Sequence, residues 1–499
     1  MKKTINKEEG VDQICQACGI CENQGLARGT LCAGLSQEMS RQYEYPETFP
    51  KTYDGLRFTA DAMDCSLPLA MDSHSGCAYN CLYCFSNNLQ RAPDRNSKSL
   101  QRIIKEGSFY SEWNVTKLEK FLNRELKDKV SQAMYPLLDA GTPIQLGALG
   151  DPFDDLEEQS GWAKKAIPLL IKYGVPVRVG TKGGRLLQKP EYLKLFEDSP
   201  DQFWFAFSII SNSDDLISKV DINAPVTSER LKAMDMLTKM GCKASIRFRP
   251  FLPGISDSYP GEPEAWKTLI TRARESGAGA ISFEYIFLNP VPTPRQTEMY
   301  RLMFNVMRKP QFWKEWMESS NQSETCRRSS RAIKYEMTKK VKDHVHDLGM
   351  NFGISDPHFK EWNDSGSCCG MTDSGDKWFS NWSRRQMTEV VVQARKSYER
   401  GEERFFNYQD WKPQWAHKVP FTNMVSAGNW HNSRRKKNVT FGSHMRIKWN
   451  NPNHPRGPFK YFAGVLFPVG IDEKTQETVY KYRPWETGDE LNNIFEYNL

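Results

Sequence analysis

The sequence predicts an α/β protein built around a partial (β/α) barrel, TIM-like, with an N-terminal metal-binding segment and a basic, β-rich C-terminal domain. Three observations carry this. Short apolar runs alternate with amphipathic stretches from about residue 65 to residue 355, the signature of strand–helix units feeding a parallel sheet. Ten of the twelve cysteines fall in or beside groups at Cys15–Cys32, Cys65–Cys84 and Cys368–Cys369. The excess of positive over negative charge falls in the last quarter of the chain.

Strands are expected at 66–72, 144–149, 176–182, 202–210, 242–249, 278–287 and 349–355. Between them, 116–126, 161–173, 190–196, 228–240, 263–276, 295–318 and 327–347 read as helices. The stretch 228–240 places Leu231, Met234 and Leu237 on one side, and Gly241 ends it. Six or seven such units bend naturally into a barrel or partial barrel, whose chemistry sits in the loops after the strands. This divides the chain into a cysteine-rich segment at 1–64, the barrel at 65–371 and a Trp-rich domain at 372–499.

The chain of 499 residues is 39% hydrophobic and 26% charged, a globular composition rather than a disordered or fibrous one. No apolar run approaches the ~18 residues of a membrane span. Met1-Lys2-Lys3-Thr4-Ile5-Asn6 leads into charged residues, unlike a signal peptide, so a cytoplasmic protein is expected.

The most informative stretch is Gly76-Cys77-Ala78-Tyr79-Asn80-Cys81-Leu82-Tyr83-Cys84-Phe85, with the spacing C-x3-C-x2-C directly after the first barrel strand. Three thiolates on one loop suit three irons of a [4Fe–4S] cluster and leave the fourth iron open to an outside ligand. A zinc site would ask for four ligands and different spacing.

This motif resembles the radical S-adenosylmethionine (SAM) superfamily, and Tyr83 before the third cysteine fits its pattern. Gly150-Asp151-Pro152-Phe153, Gly180-Thr181-Lys182, Asn223-Ala224-Pro225 with Arg230 downstream, and Arg249-Pro250-Phe251-Leu252-Pro253-Gly254 look like the spore photoproduct lyase-like branch, across residues 65–290. The resemblance implies a partial barrel of radical SAM type. It implies that Cys77, Cys81 and Cys84 hold the cluster, that SAM chelates the open iron, and that reductive cleavage gives a 5′-deoxyadenosyl radical. It implies further that Lys182 pairs with the SAM carboxylate, with Ser208 or Arg247 nearby, and that Tyr83, Gly147, Gly150 and Asp151 border the cofactor. An electron donor such as flavodoxin or ferredoxin would be a partner. The Gly-Gly-Glu-like segment that often contacts the SAM amine is missing; residues 147–151 stand in its place.

Cys15, Cys18 and Cys21 have ferredoxin-like spacing, and Cys32 completes a set of four. They suit a second [4Fe–4S] cluster or a structural zinc ion. Cys368 and Cys369 follow the last expected strand, so their loop is expected over the barrel mouth. There they would supply a hydrogen atom, relay an electron or donate a ligand, or else be buried structural thiols.

Residues 375–499 hold 20 Lys/Arg against 13 Asp/Glu, and residues 1–374 balance. Within 411–471 there are ten Lys/Arg and no acid, interleaved with Trp411, Trp415, Trp430, Phe441, Trp449, Phe459, Tyr461 and Phe462. Basic residues neutralise phosphates and aromatic faces stack on bases, so nucleic acid, DNA or RNA, is the expected partner. The stretches 439–449 and 460–469 are expected strands of a small sheet. The expected function is radical modification or repair of a nucleic-acid base. Alternatives are a radical SAM enzyme acting on a peptide or small metabolite, and a nucleic-acid-binding protein with a structural or sensory cluster.

Overall fold

The alternation of apolar and polar residues in the expected strands is realised as one twisted sheet with two unlike faces. The computed structural model describes residues 52–53, 56–58, 65–73, 77–79, 81–84, 112–113, 115–288, 294–307, 321–322, 327–371, 377–379, 387–411, 441–454 and 456–485. The sheet strands are β1 (Leu56–Phe58), β2 (Leu69–Met71), β3 (Ile144–Leu146), β4 (Val177–Thr181), β5 (Phe203–Ser208), β6 (Lys243–Phe251), β7 (Ala280–Tyr285) and β8 (Asn351–Ile354). Their order is β8-β7-β6-β5-β4-β3-β2-β1. The seven strands β2 to β8 run parallel, each pairing with the next. All seven were legible in the sequence. The antiparallel edge strand β1, paired with β2, was not: it lies in the segment expected to be a metal-bearing arm and connection.

One face is a continuous apolar layer. Leu69, Met71, Ile144, Leu146, Val177, Val179, Phe203, Phe205, Phe207, Ile246, Phe248, Ile281 and Phe283 are buried in one core cluster. The helices cover it, as the amphipathic spacing requires. Among them are α1 (Val115–Leu122), α2 (Trp162–Lys172), α3 (Thr227–Lys239), α4 (Ala265–Glu275) and α5 (Arg331–Asp347). Leu231, Met234 and Leu237 of α3 are buried as expected. Each fully buried Val, Leu or Phe contributes about 1.5–3 kcal/mol.

Because side chains alternate along a strand, the other, concave face carries Gln145, Arg178, Gly180, Trp204, Ala206, Ser208, Ser245, Arg247, Arg249, Ser282 and Glu284. The sequence placed Arg247 and Arg249 on a common side; that side is the inside.

The C-terminal part departs from expectation. The stretch 439–449, expected as a strand, is the helix Phe441–Trp449. Met445 and Trp449 are buried, one helical turn apart, and Trp449 Nε1 donates to Thr478 O at 2.7 Å. The polar–apolar pattern over so short a stretch served either period. Met387–Glu399 is a second unforeseen helix. Among the described residues these helices are joined by a three-stranded antiparallel sheet of Phe405–Phe406, Leu466–Ile471 and Thr478–Tyr482, so the described part is mixed rather than β-rich. Its residues Val391, Phe406, Trp449, Phe462 and Tyr480 share a core cluster with Phe352 and Phe359, across the boundary expected near 372.

No described helix is long and apolar enough to cross a membrane. Cys15, Cys18, Cys21 and Cys32 lie outside the described residues, as do Trp415, Trp430 and Arg434-Arg435-Lys436-Lys437.

Candidate active site at the carboxyl end of the sheet

Cys77, Cys81 and Cys84 stand on the loop that follows β2, at the end of a parallel strand where such folds keep their chemistry. The loop is clamped on both sides. On one side, Asp154 Oδ2 accepts from Ala78 N at 2.6 Å, and the Tyr79 hydroxyl donates to Phe153 O at 2.7 Å. Asp154 is also the N-cap of the short helix Asp155–Ser160, accepting from Leu156 N with its other oxygen. On the other side, Cys81 forms an isolated antiparallel bridge with Asp221, and Leu82 N donates to Val220 O at 2.9 Å. Asn223 Nδ2 donates to Ala78 O at 3.0 Å, and its backbone N donates to Tyr79 O.

The loop after β3 is shaped by two aspartates. Asp72 Oδ1 accepts from the amides of Ala148, Leu149 and Gly150 at 2.8, 2.8 and 3.1 Å. Asp151 accepts from Phe153 N and Thr181 Oγ1 with Oδ1, and from Lys182 N at 2.6 Å with Oδ2. Burial raises the Asp151 pKa, while these donors oppose it. The Asp151 oxygens tie the β3 and β4 loops together, at the place where the residue was expected to border a cofactor. Gly147 turns the chain at φ +75°, and a Cβ there would lie 2.4 Å from Gly180 O, so only glycine fits.

Lys182, at the end of β4, reaches the cysteine loop. Its Nζ lies 5.0 Å from the Tyr83 ring centroid and 3.8 Å from Asp221 Oδ1. Arg230 Nη2 lies 2.8 Å from Asp221 Oδ2, with both side chains fully buried. Arg230 also donates to Pro225 O and Ser208 O, fixing the end of β5. Burial alone would raise the Asp221 carboxyl, but Lys182 and Arg230 outweigh it and hold the carboxyl below its usual range. Burial raises Cys81, with Asp221 adding to it and Lys182 opposing.

Along the same end of the sheet, the carboxyl ends of β6 to β8 carry a charge network. Glu284 takes Arg249 Nη2 at 2.6 Å and Arg328 Nη1 at 2.8 Å. Burial opposes its ionisation, but the two arginines pull it down to about 2. Lys334 Nζ donates to Asp356 and lies 3.0 Å from His358 Nδ1, all buried. Glu284, Lys334 and Asp356 were not singled out in the sequence. For Glu284 the signal was present: 280–285 alternates so that Ser282 and Glu284 share a face with Arg247 and Arg249.

Cys368 and Cys369 do not cover the barrel mouth as expected. Their segment is pressed against the concave face, low on the strands. Ser282 Oγ donates to Cys368 O at 3.0 Å, and a Cβ on Gly353 would lie 2.4 Å from Gly370 N. Cys369 packs with Leu67, Trp204, Ala280 and Met371. A hydrogen bond from Cys368 holds the Cys369 thiol down; burial opposes this, and Arg178, Arg249 and Arg247 add to it. Gly353 and Gly370 let the segment approach the strands this closely. His358 is part of the buried lysine–aspartate cluster.

Among the described residues no three His, Cys, Asp or Glu side chains gather closely enough for a single metal ion. The three thiols of the cysteine loop are of the type an iron–sulfur cluster takes, each on a different iron. Cys77 and Cys84 are half-buried, Cys81 is buried, and the three pack with Tyr79, Tyr83 and Ala224. Further described residues of the basic stretch are also placed. Trp449, Phe459 and Phe462 are buried in the core rather than presented as stacking faces. Arg446 pairs with Glu477 at 2.9 Å.

No protein-family model matches the sequence, and no curated protein matches it. Among solved structures, the chain is similar to a spore photoproduct lyase complexed with dinucleoside spore photoproduct, at 13% identity over 71% of this chain and all of that one, with a TM-score of 0.38. A spore photoproduct lyase mutant with bound AdoMet and dinucleoside spore photoproduct is similar at 14% identity, over 65% of this chain and 94% of that one, with a TM-score of 0.37. Streptococcus suis SuiB bound to S-adenosylmethionine is similar at 12% identity over 59% of this chain and 52% of that one, with a TM-score of 0.35. With every one of these scores below 0.5, the functional reading rests on the chain's own residues.

Proposed function

We propose that this chain is a radical SAM enzyme that modifies or repairs a base in nucleic acid. The observation that carries the reaction class is the C-x3-C-x2-C loop, held by Asp154 and Asp221 at the carboxyl end of a parallel strand. Cys77, Cys81 and Cys84 would hold a [4Fe–4S] cluster, which when bound supplies the electron that cleaves SAM to a 5′-deoxyadenosyl radical. The chain's own residues position and shield. Lys182 stands beside the cysteine loop as the cation for the SAM carboxylate, kept charged by Asp221. Tyr83, Gly147, Gly150 and Ser208 border the same rim, and Asp151 sets the loop that carries them. The concave face below would receive the reacting part of the substrate.

The nucleic-acid partner is supported by the acid-free stretch 411–471. A base would have to leave its stack to enter the barrel. Cys15, Cys18, Cys21 and Cys32 would hold a second cluster or zinc, and a small electron-transfer protein would reduce the enzyme. Two measurements test this reading. Metal analysis after anaerobic reconstitution should give about four irons fewer in a C77A/C81A/C84A variant than in the wild type. Affinity for single-stranded DNA or RNA should fall steeply with salt. Absence of binding at low salt would remove nucleic acid and leave a peptide or small metabolite as substrate.

A further inference from the structure

The inner face of the sheet holds two arginines that have no carboxylate partner of their own, although the Cys369 thiol lies within their electrostatic reach. Arg178 is 3% exposed; its Nη1 donates to Gln145 Oε1, while its Nε and Nη2 are buried without a hydrogen-bond partner. Arg247 is half-buried, and its Nε is likewise unpartnered. The nearby carboxylate, Glu284, is already bound by Arg249 and Arg328.

Small residues, Gly180 and Ala206, stand between the two arginines, and a Cβ on Gly180 would already meet Gln145 Nε2 at 2.7 Å and Gly147 O at 2.8 Å. Arg247 starts on β6, opposite Ser208 of β5. It leans towards β4, where its Nη1 would be 3.8 Å from a Cβ placed on Gly180. The β5 residue next to Gly180 is only Ala206. Arg178 lies two residues below Gly180 on the same strand. Burial, then Arg249 and then Arg178 pull Arg247 down to about 9, with Cys369 and Glu284 opposing. Unmade charge-assisted hydrogen bonds in a buried site are costly, and a bound anion would satisfy them.

We infer that Arg178 and Arg247 form an oxyanion-binding site inside the barrel, below the cysteine loop, for a phosphate or carboxylate group of the substrate. Planar guanidinium edges suit either group, and both carry paired oxygens. The site is distinct from Lys182, whose ammonium is directed to Tyr83 and Asp221 at the rim. Its assignment to a substrate rests on the proposed enzymatic reading, while the binding of an anion by these arginines is tested apart from SAM cleavage.

Calorimetric titration of the full-length protein with inorganic phosphate, and separately with acetate, tests this. Saturable binding of at least one is expected, weakened roughly tenfold or more in R178Q and in R247Q. It should be unchanged in R185Q, whose arginine lies outside the barrel against Glu229. R247K, which keeps the charge but loses the fork, should fall between. Because Arg247 is the less buried of the two, R247Q and R247K carry the test if R178Q does not fold. Stronger binding of phosphate assigns a phosphoryl group, and stronger binding of acetate a carboxylate. Absence of saturable binding, or equal binding by wild type and R247Q, would overturn the site. Displacement of the anion by methionine would also overturn it, by giving these arginines to the amino-acid end of SAM. SAM cleavage by the wild type, measured separately, tells failure of the site from failure of the proposed reaction.

Discussion

Cys81 and Asp221 are bridged through their backbones, and the Asp221 side chain lies between Arg230 at 2.8 Å and Lys182 at 3.8 Å. One residue thus fixes the middle cysteine and neutralises the cations around it. Removing one partner of a buried ion pair leaves an uncompensated charge and costs about 3–5 kcal/mol. Asp221→Asn should therefore lower stability in urea by that order. Its iron content after reconstitution should fall relative to the wild type, even in the folded fraction. Normal iron content and an unchanged melt would show that the bridge does not hold the loop.

The opposite clamp gives a graded pair. Asp154→Ala removes the acceptor for Ala78 N and a helix cap together, with an expected cost of about 2–4 kcal/mol. Tyr79→Phe removes one hydrogen bond to Phe153 O, with an expected cost of about 1 kcal/mol. Denaturant melts of the two variants check the order; Tyr79→Phe costing more than Asp154→Ala would contradict the described clamp.

Most of the sheet was legible because its strands need one apolar and one polar face, and residues such as Phe203, Phe205 and Phe207 state that period directly. The cysteine loop was legible by spacing. The residues that hold it were not: Asp154 and Asp221 are single acids, about 70 and 140 positions from the loop, and only the sheet brings them there. The helix at Phe441–Trp449 was missed for a different reason. Its burial is decided by Thr478 and Tyr480, which are distant in sequence.

Gly147 offers a steric test. Gly147→Ala places a Cβ 2.4 Å from Gly180 O and 2.6 Å from Pro152 Cδ, at a φ of +75°. Backbone must move, so a loss of about 2–4 kcal/mol is expected. Gly141→Ala has a similar φ but nothing within 4 Å, and should cost less. Equal thermal shifts in the two variants would refute the crowding argument.

His358 sets a pH dependence. Burial, with Lys334 beside it, lowers its pKa to about 3, against about 6.5 in an unfolded chain. Between these values the unfolded state binds the extra proton. This contribution to stability is complete above pH 6.5 and is lost as pH falls towards 3, by up to about 1.4 kcal/mol per pH unit. His358→Gln should flatten the stability profile between pH 6.5 and 4.5 relative to the wild type. Parallel profiles would show that His358 is not buried as a neutral group.

The central claim is that the cysteine loop supports reductive cleavage of SAM. Anaerobically reconstituted protein, mixed with SAM and dithionite, should release 5′-deoxyadenosine, and the C77A/C81A/C84A variant should release none. Absence of 5′-deoxyadenosine from wild-type protein whose cluster is intact by iron count and absorbance would contradict the claim.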